Sequence, residues 1–414
     1  MFLNSYHQIK SKEIYVLTFL VLFSIFIRVP VILIYGDSNL EHEWELLVNN
    51  LIEHGQLVYE ILDNGMLLPN LWMPPLYAYY LYCFSFFGLE DQNYIRLILL
   101  SQVLMASISV AVFYKINKLF FSQKISFYNS VLFSIFPIYI YVSSQISSMS
   151  LQVLLMILFF YFFFQIVDKK NFSSIIIFSL LSGLIMLLRG EFGIIFVISI
   201  LYLFLFFKVS IKKILLIFLI TLVTVSPYLF RNFIIFNKIT LVETAGYNLW
   251  KGNHPLAMKN SVVEGLDFST ERDVKLNEQI DALPKDKFYR INRNAVFLDQ
   301  AIKNIMSETM GYLIFYVKKA ISFFFITINP QDPRYWNPLH YLPALLLGIT
   351  SLIGLILSDK KSYKFNYLIL IFFLIIGIFS MVSILPRYKL IIFPFQIIFT
   401  GVLIKYVKEK FFAN

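Results

Sequence analysis

The 414-residue chain has a single cysteine, Cys83, so it can form no internal disulfide and no thiolate metal cluster. Charged side chains are scarce too, at 14% against a usual share of roughly 25%. Tandem repeats and low-complexity tracts are missing, beyond a general richness in Phe, Ile and Leu. Hydrophobic residues reach 58% and the mean hydropathy is +0.72. A soluble globule of this composition would lack the polar side chains to cover its surface. Disorder, a coiled coil and nucleic-acid binding are excluded on the same grounds. A polytopic, all-α membrane protein remains.

The apolar runs long enough to cross ~30 Å of hydrocarbon are 15–35, 95–114, 125–142, 151–167, 173–188, 192–207, 214–230, 341–357, 365–381 and 390–404. The first has no small-residue cleavage signal and reads as a retained span. Two further runs, Pro74–Phe87 and Tyr312–Ile328, are shorter or compromised, the second by Lys318 and Lys319 near its middle. Charge placement decides between them. If both lie along the membrane surface, about ten spans remain, with twelve as the upper bound. Lys10, Lys12, Lys115, Lys118, Lys124 and the later lysine clusters then share the cytoplasmic side with both termini. Only Glu13, Asp168, Asp359 and Glu409 oppose them there. The expected location is thus the cytoplasmic (inner) membrane, with the polar blocks on its outer face.

Three segments follow from this topology. A membrane core over 1–230 carries an acidic outer block at 36–93, which contains no Lys or Arg. A mixed polar outer region covers 231–308, and 309–414 holds a juxtamembrane helix and three spans.

In the acidic block a helix is expected from about Asn39 to the glycine stop at Gly55, with Leu40, Trp44, Leu47, Val48 and Leu51 on one face. That face would lie in the headgroup layer and hold Glu41 and Glu43 at its two edges. Either they are simply solvated, or one is a general base whose pKa a low-dielectric border raises. Pro74–Pro75 opens the next helix, which would wall a lipid-lined groove. Arg231 and Asn232 fall where the seventh span emerges; snorkelling alone explains such an arginine. Arg387, Tyr388 and Lys389 fall at an outer hairpin, where a guanidinium can grip a lipid phosphate in a fork. Arg189 sits at the outer rim beside Glu191, either paired with it or in secondary contact with an anion. Glu41–His42–Glu43, with His54 and His254, raises a divalent metal, although adjacent helical residues diverge by about 100° and converge poorly. No cofactor is otherwise indicated.

These elements occur in a recognisable order. The first span is followed by Glu41–His42–Glu43–Trp44 and Gly55. Then come Trp72–Met73–Pro74–Pro75–Leu76–Tyr77, Phe87–Gly88 and Arg96. Later come Ser226–Pro227–Tyr228, Arg231–Asn232, the run Gly246–Tyr247–Asn248–Leu249–Trp250–Lys251–Gly252–Asn253, then Pro386–Arg387–Tyr388–Lys389 and Pro394. The chain resembles the GT-C class glycosyltransferases that use polyprenyl-phosphate sugars. Within that class it is similar to family 39, the protein O-mannosyltransferases and lipid A aminoarabinose transferases. The resemblance implies a GT-C fold and sugar transfer from a polyprenyl-phosphate carrier to a hydroxyl of a glycan, lipid or protein outside the cytoplasmic membrane. It puts the base, or the residue that orients the acceptor, at Glu41 or Glu43. Arg387 and Arg231 would hold phosphate with Tyr388 and Lys389 nearby, and Arg189, Asn232 and Asn253 would be secondary. Two departures stand out: Leu40 replaces the usual aspartate before Glu41, and Trp72–Met73 replaces a Glu-Lys pair before the prolines.

The rival readings are a polytopic transporter and a polysaccharide polymerase or ligase. The transporter lacks its usual ionisable groups at mid-membrane in the second to seventh spans. The polymerase has no need of an acidic helix directly after the first span.

Overall fold

The computed structural model describes residues 2–40, 42–61, 65–88, 91–169, 171–328, 330–333, 336–358 and 362–411. It opens with α1 (Phe2–Tyr35), an apolar helix that carries Pro30 inside it, and then α2 (His42–His54). Gly55 ends α2 in the left-handed conformation (φ 64°), the stop expected from the sequence. An antiparallel hairpin of β1 (Val58–Ile61) and β2 (Leu67–Pro69) follows, a small exception to the all-helical expectation. Next come α3 (Pro75–Ser85), α4 (Asp91–Asn117), α5 (Gln123–Ile135) and α6 (Pro137–Ser143). The chain continues through α7 (Met149–Lys169), α8 (Phe172–Leu188), α9 (Phe192–Leu205) and α10 (Ile211–Phe236). The outer layer holds α11 (Ala245–Gly252), α12 (Pro255–Lys259), α13 (Val274–Asp281) and α14 (Tyr289–Ser307). Then α15 (Thr309–Phe324), α16 (Pro338–Ile356), α17 (Tyr363–Ser380), a 3₁₀ turn (Pro386–Ile391) and α18 (Phe393–Phe411) complete it.

Among the described residues, six helices are long and apolar enough to cross a membrane: α1, α4, α7, α10, α16 and α17. The expected third span is broken. Proline at 137 disfavours helical geometry at Phe136, which is extended (ψ 122°), and α5 and α6 meet at a 52° bend. Counting that pair as one span gives seven, fewer than the expected ten. The other expected spans fall on α8 and α9, apolar but shorter, and on α18, whose last turns carry Lys405, Lys408, Glu409 and Lys410.

Lipid provides little hydrophobic drive between helices, so small and polar residues set the contacts. Ser107 donates to Ser24 (3.0 Å) to join α4 to α1, and Asn129 donates to Asn117 (2.7 Å) to join α5 to α4. Thr221 donates to the Ser179 carbonyl across α10 and α8. α16 lies so close to α18 that a Cβ on Gly354 would sit 1.9 Å from the Phe399 carbonyl oxygen. Backbone cannot yield as a flexible side chain can. We therefore expect Gly354→Ala to lower the thermal midpoint of the purified protein by about 3 °C or more.

The apolar face of α2 does not lie in lipid, as the sequence suggested. Trp44 packs edge-on against Tyr77 of α3 (4.8 Å), and Leu47, Val48 and Leu51 are buried with it. A second core, around Trp250 and Phe297, unites α11, α13 and α14 with Leu68 of β2. The two outer blocks are thus one layer. At the far end of the bundle, Lys118 pairs with Glu13 (2.8 Å) and Lys364 with Asp168, which tie lysine-rich connections together.

Candidate active site

The turn between α6 and α7, residues 144–148, organises the opposite end of the bundle. The first acid after α1, Asp37, grips it twice. Its backbone N–H donates to the Ser144 carbonyl (3.0 Å), and its Oδ2 accepts from the Ile146 N–H (2.6 Å). Burial raises the Asp37 pKa above the ordinary carboxylate value, and the Ile146 hydrogen bond opposes that rise. A third tie comes from α4: Gln102 donates to the Gln145 carbonyl (2.8 Å) and accepts from the Tyr77 hydroxyl (2.9 Å). The turn that holds the acid is thereby tied to α4 and, through Tyr77, to α3.

Arg189, just past α8, reaches the first turn of α7. Its Nε donates to Gln152 (2.7 Å), Nη2 approaches the Met149 sulfur (3.6 Å), and the guanidinium lies over the Tyr388 ring (5.8 Å). Its sequence neighbour Glu191 is not its ion-pair partner among the described residues. Arg387 lies over the same ring (6.0 Å), is exposed, and makes no ion pair or hydrogen bond among the described residues. Two guanidiniums, neither paired with a carboxylate among the described residues, thus share one phenol ring. Arg189 reaches Met149 and Gln152, on the first turn of the helix that follows the turn Asp37 grips. This cluster was only partly visible in the sequence: Arg387, Tyr388 and Arg189 were candidates, whereas Asp37, Gln102 and Gln152 were not.

The other sequence candidates occupy different places. Glu43 is exposed in the first turn of α2 and accepts from the Tyr59 hydroxyl (3.2 Å). Burial first, then Glu43, pushes the Tyr59 phenol up. Arg290 lies over Tyr59 (5.0 Å) and Trp72 (5.5 Å) and pairs with Glu60. Glu41 lies outside the described residues. Arg231, within α10, spends Nη1 on the Asn70 carbonyl (3.0 Å) and Asn232 (2.7 Å), and Nη2 on the Leu57 carbonyl (3.2 Å). It clamps the hairpin onto α10. Asn232 is fully buried and donates to the Thr240 carbonyl (2.6 Å).

Lys389 turns away from Arg387, because residues two apart on a 3₁₀ turn point about 120° apart. It is buried, donates to the Phe325 carbonyl (2.9 Å), and desolvation lowers its pKa to about 7 despite the opposing pull of Glu264. Lys319 was expected to favour a surface position for α15 but is wholly buried. Its ammonium donates to the Gly252 carbonyl (3.2 Å) and to Oδ1 of Asn253 (3.1 Å), and burial lowers its pKa to about 7. Asn253 in turn donates to the Met381 carbonyl (2.8 Å). Gly252 permits this approach: a Cβ there would sit 2.4 Å from the Val382 carbonyl carbon. The Gly246–Asn253 run thereby docks the outer layer onto the segment that leads to Arg387.

For a metal, His254 bonds Asp273 (3.0 Å) and accepts from the Leu256 N–H, while His54 is near Glu53 (3.8 Å). No group of three or more His, Cys, Asp or Glu side chains converges among the described residues.

Residues 73–230 match the family model described as dolichyl-phosphate-mannose-protein mannosyltransferase. A comparison with curated proteins finds no significant match. Among solved structures, 97% of the chain superposes on the oligosaccharyltransferase AglB from Archaeoglobus fulgidus, solved with an inhibitory peptide and a dolichol-phosphate (TM-score 0.59, 13% identity, 51% of that chain). The Archaeoglobus fulgidus oligosaccharyltransferase tethered to an acceptor peptide is similar as well (TM-score 0.58, 15% identity, 97% of this chain and 50% of that one). The chain spans about half the length of these solved relatives. The chain thus shares the fold of these oligosaccharyltransferase structures, is similar to the mannosyltransferase family over residues 73–230, and carries several helices long and apolar enough to cross a membrane.

Proposed function

We propose that the protein transfers a sugar from a polyprenyl-phosphate carrier to an acceptor hydroxyl at the outer face of the cytoplasmic membrane. Asp37 is the base in this reading. It takes the hydroxyl proton, the oxygen attacks the anomeric carbon from the side opposite the phosphate, and the carbon–oxygen bond to the phosphate breaks with inversion. The phosphate leaves with the electron pair, and Arg189 and Arg387 stabilise its growing charge. One observation carries the reading: a half-buried carboxylate is held on the α6–α7 turn, and the first turn of the helix that follows contacts Arg189, which shares the Tyr388 ring with Arg387, neither arginine being paired with a carboxylate among the described residues.

Burial supports the choice of Asp37, since a raised pKa makes a carboxylate a stronger base. Glu43, exposed and tied to Tyr59, is better suited to contact with the acceptor. The AglB structure was solved with a dolichol-phosphate, in keeping with a lipid-linked donor. The acceptor class is a glycan, lipid or protein hydroxyl, approached through the outer layer.

The test uses the full chain in nanodiscs with a panel of radiolabelled polyprenyl-phosphate sugars and candidate acceptors. Label should leave the carrier at least about 100-fold faster with one acceptor present than without. Discharge that ignores every acceptor would point to hydrolysis and end the proposal.

A further inference from the structure

Arg28 lies within α1, inside its membrane-spanning part, and is 1% exposed. A guanidinium is always charged and is expensive to hold in a bilayer without an opposite charge. Among the described residues none supplies one. Nη1 donates to the Ser24 hydroxyl (2.7 Å) and carbonyl (3.2 Å), and Nε has no acceptor. The side chain borders a cavity whose other walls include Ser109 of α4, Tyr139 of α6, and Ser150 and Val153 of α7. Two of these polar groups are already used: Ser109 donates to the Met105 carbonyl (2.8 Å) and Tyr139 to the Leu390 carbonyl (2.7 Å). Ser150, 4% exposed, makes no side-chain hydrogen bond among the described residues. The cavity therefore presents an N–H and an O–H donor, one net positive charge and no carboxylate.

We propose that this cavity binds a single halide ion, with chloride the physiological occupant, held by Nε–H of Arg28 and the hydroxyl of Ser150. Space decides the size, because the cavity has room for about one water-sized particle, too little for a phosphate or a carboxylate-bearing molecule. Charge decides the rest: one monovalent anion neutralises the arginine, whereas water would satisfy the donors and leave the charge uncompensated. The site lies about 100° around α7 from the face that Arg189 touches, since Arg189 meets Met149 and Gln152 while the cavity borders Ser150 and Val153. Its test does not depend on the proposed sugar transfer.

The experiment is thermal unfolding of the full-length protein in sodium chloride, bromide or gluconate at equal ionic strength. The expected result is a saturable rise in midpoint of about 3 °C or more in 150 mM chloride or bromide over gluconate. Ser150→Val removes one donor and narrows the cavity, and should raise the half-saturating chloride concentration at least about fivefold. Equal midpoints in all three salts, or an unchanged response in Ser150→Val, would overturn the site. Should that variant fail to fold, crystals of the unaltered protein in bromide decide: an anomalous peak beside Nε of Arg28 supports the site, and its absence refutes it.

Discussion

Asp37→Asn should lower the turnover number for sugar transfer by about 10³-fold while folded yield and donor KM stay near those of the unaltered protein. The amide oxygen of asparagine can still accept from the Ile146 N–H, so the α6–α7 turn keeps its anchor and only the proton-accepting capacity is lost. This separates chemistry from architecture. A matching pH signature is expected: activity falls as pH drops through the Asp37 pKa, and burial places that acid limb above the ordinary carboxylate range. Glu43→Gln serves as the comparison and should cost no more than about tenfold, since Glu43 is exposed and its partner Tyr59 can bond a glutamine as well. If Glu43→Gln abolishes turnover and Asp37→Asn keeps most of it, the base is Glu43.

Arg387→Ala should reduce kcat/KM for the lipid-linked donor by about 10²-fold to 10³-fold. Because Arg387 is exposed and makes no hydrogen bond or ion pair among the described residues, its loss has no structural cost to confuse the result. Arg189→Ala should reach a similar depth. The two changes share the Tyr388 ring and, in this reading, the same phosphate, so the double variant should fall well short of the product of the single effects. Steady-state kinetics with donor and acceptor varied separately provide the check. A loss confined to acceptor KM, or full additivity, would remove the phosphate role from the pair.

Much of the architecture was legible because it is local. Apolar runs announce helices wherever they lie, and the apolar face of α2 and its glycine stop follow from spacing alone, although that face meets α3 and not the headgroup layer. Even the break at Pro137 was visible as a proline in an apolar run, although the run was read as one span. The site was less legible because long-range contacts decide it. Asp37 meets a turn 109 residues away, and nothing in its immediate sequence distinguishes it from the acids that follow. Arg231, Lys389, Asn232 and Asn253 show the converse. Their side chains look like ligands in sequence, yet carbonyls that only the folded chain brings near consume their donors. Lys319 misled for the same reason, since its polar partners belong to the Gly252–Asn253 segment.

The meeting of Gly252 with Val382 brings two stretches of main chain together with no side chain between them to act as a cushion. Such a joint transmits displacement instead of absorbing it. A push on the Trp250 core would pass through this joint to the four residues that separate Val382 from Arg387. In the proposed reaction, contact made in the layer around Trp250 would thereby be felt at Arg387, coupling the loading of one substrate to that of the other.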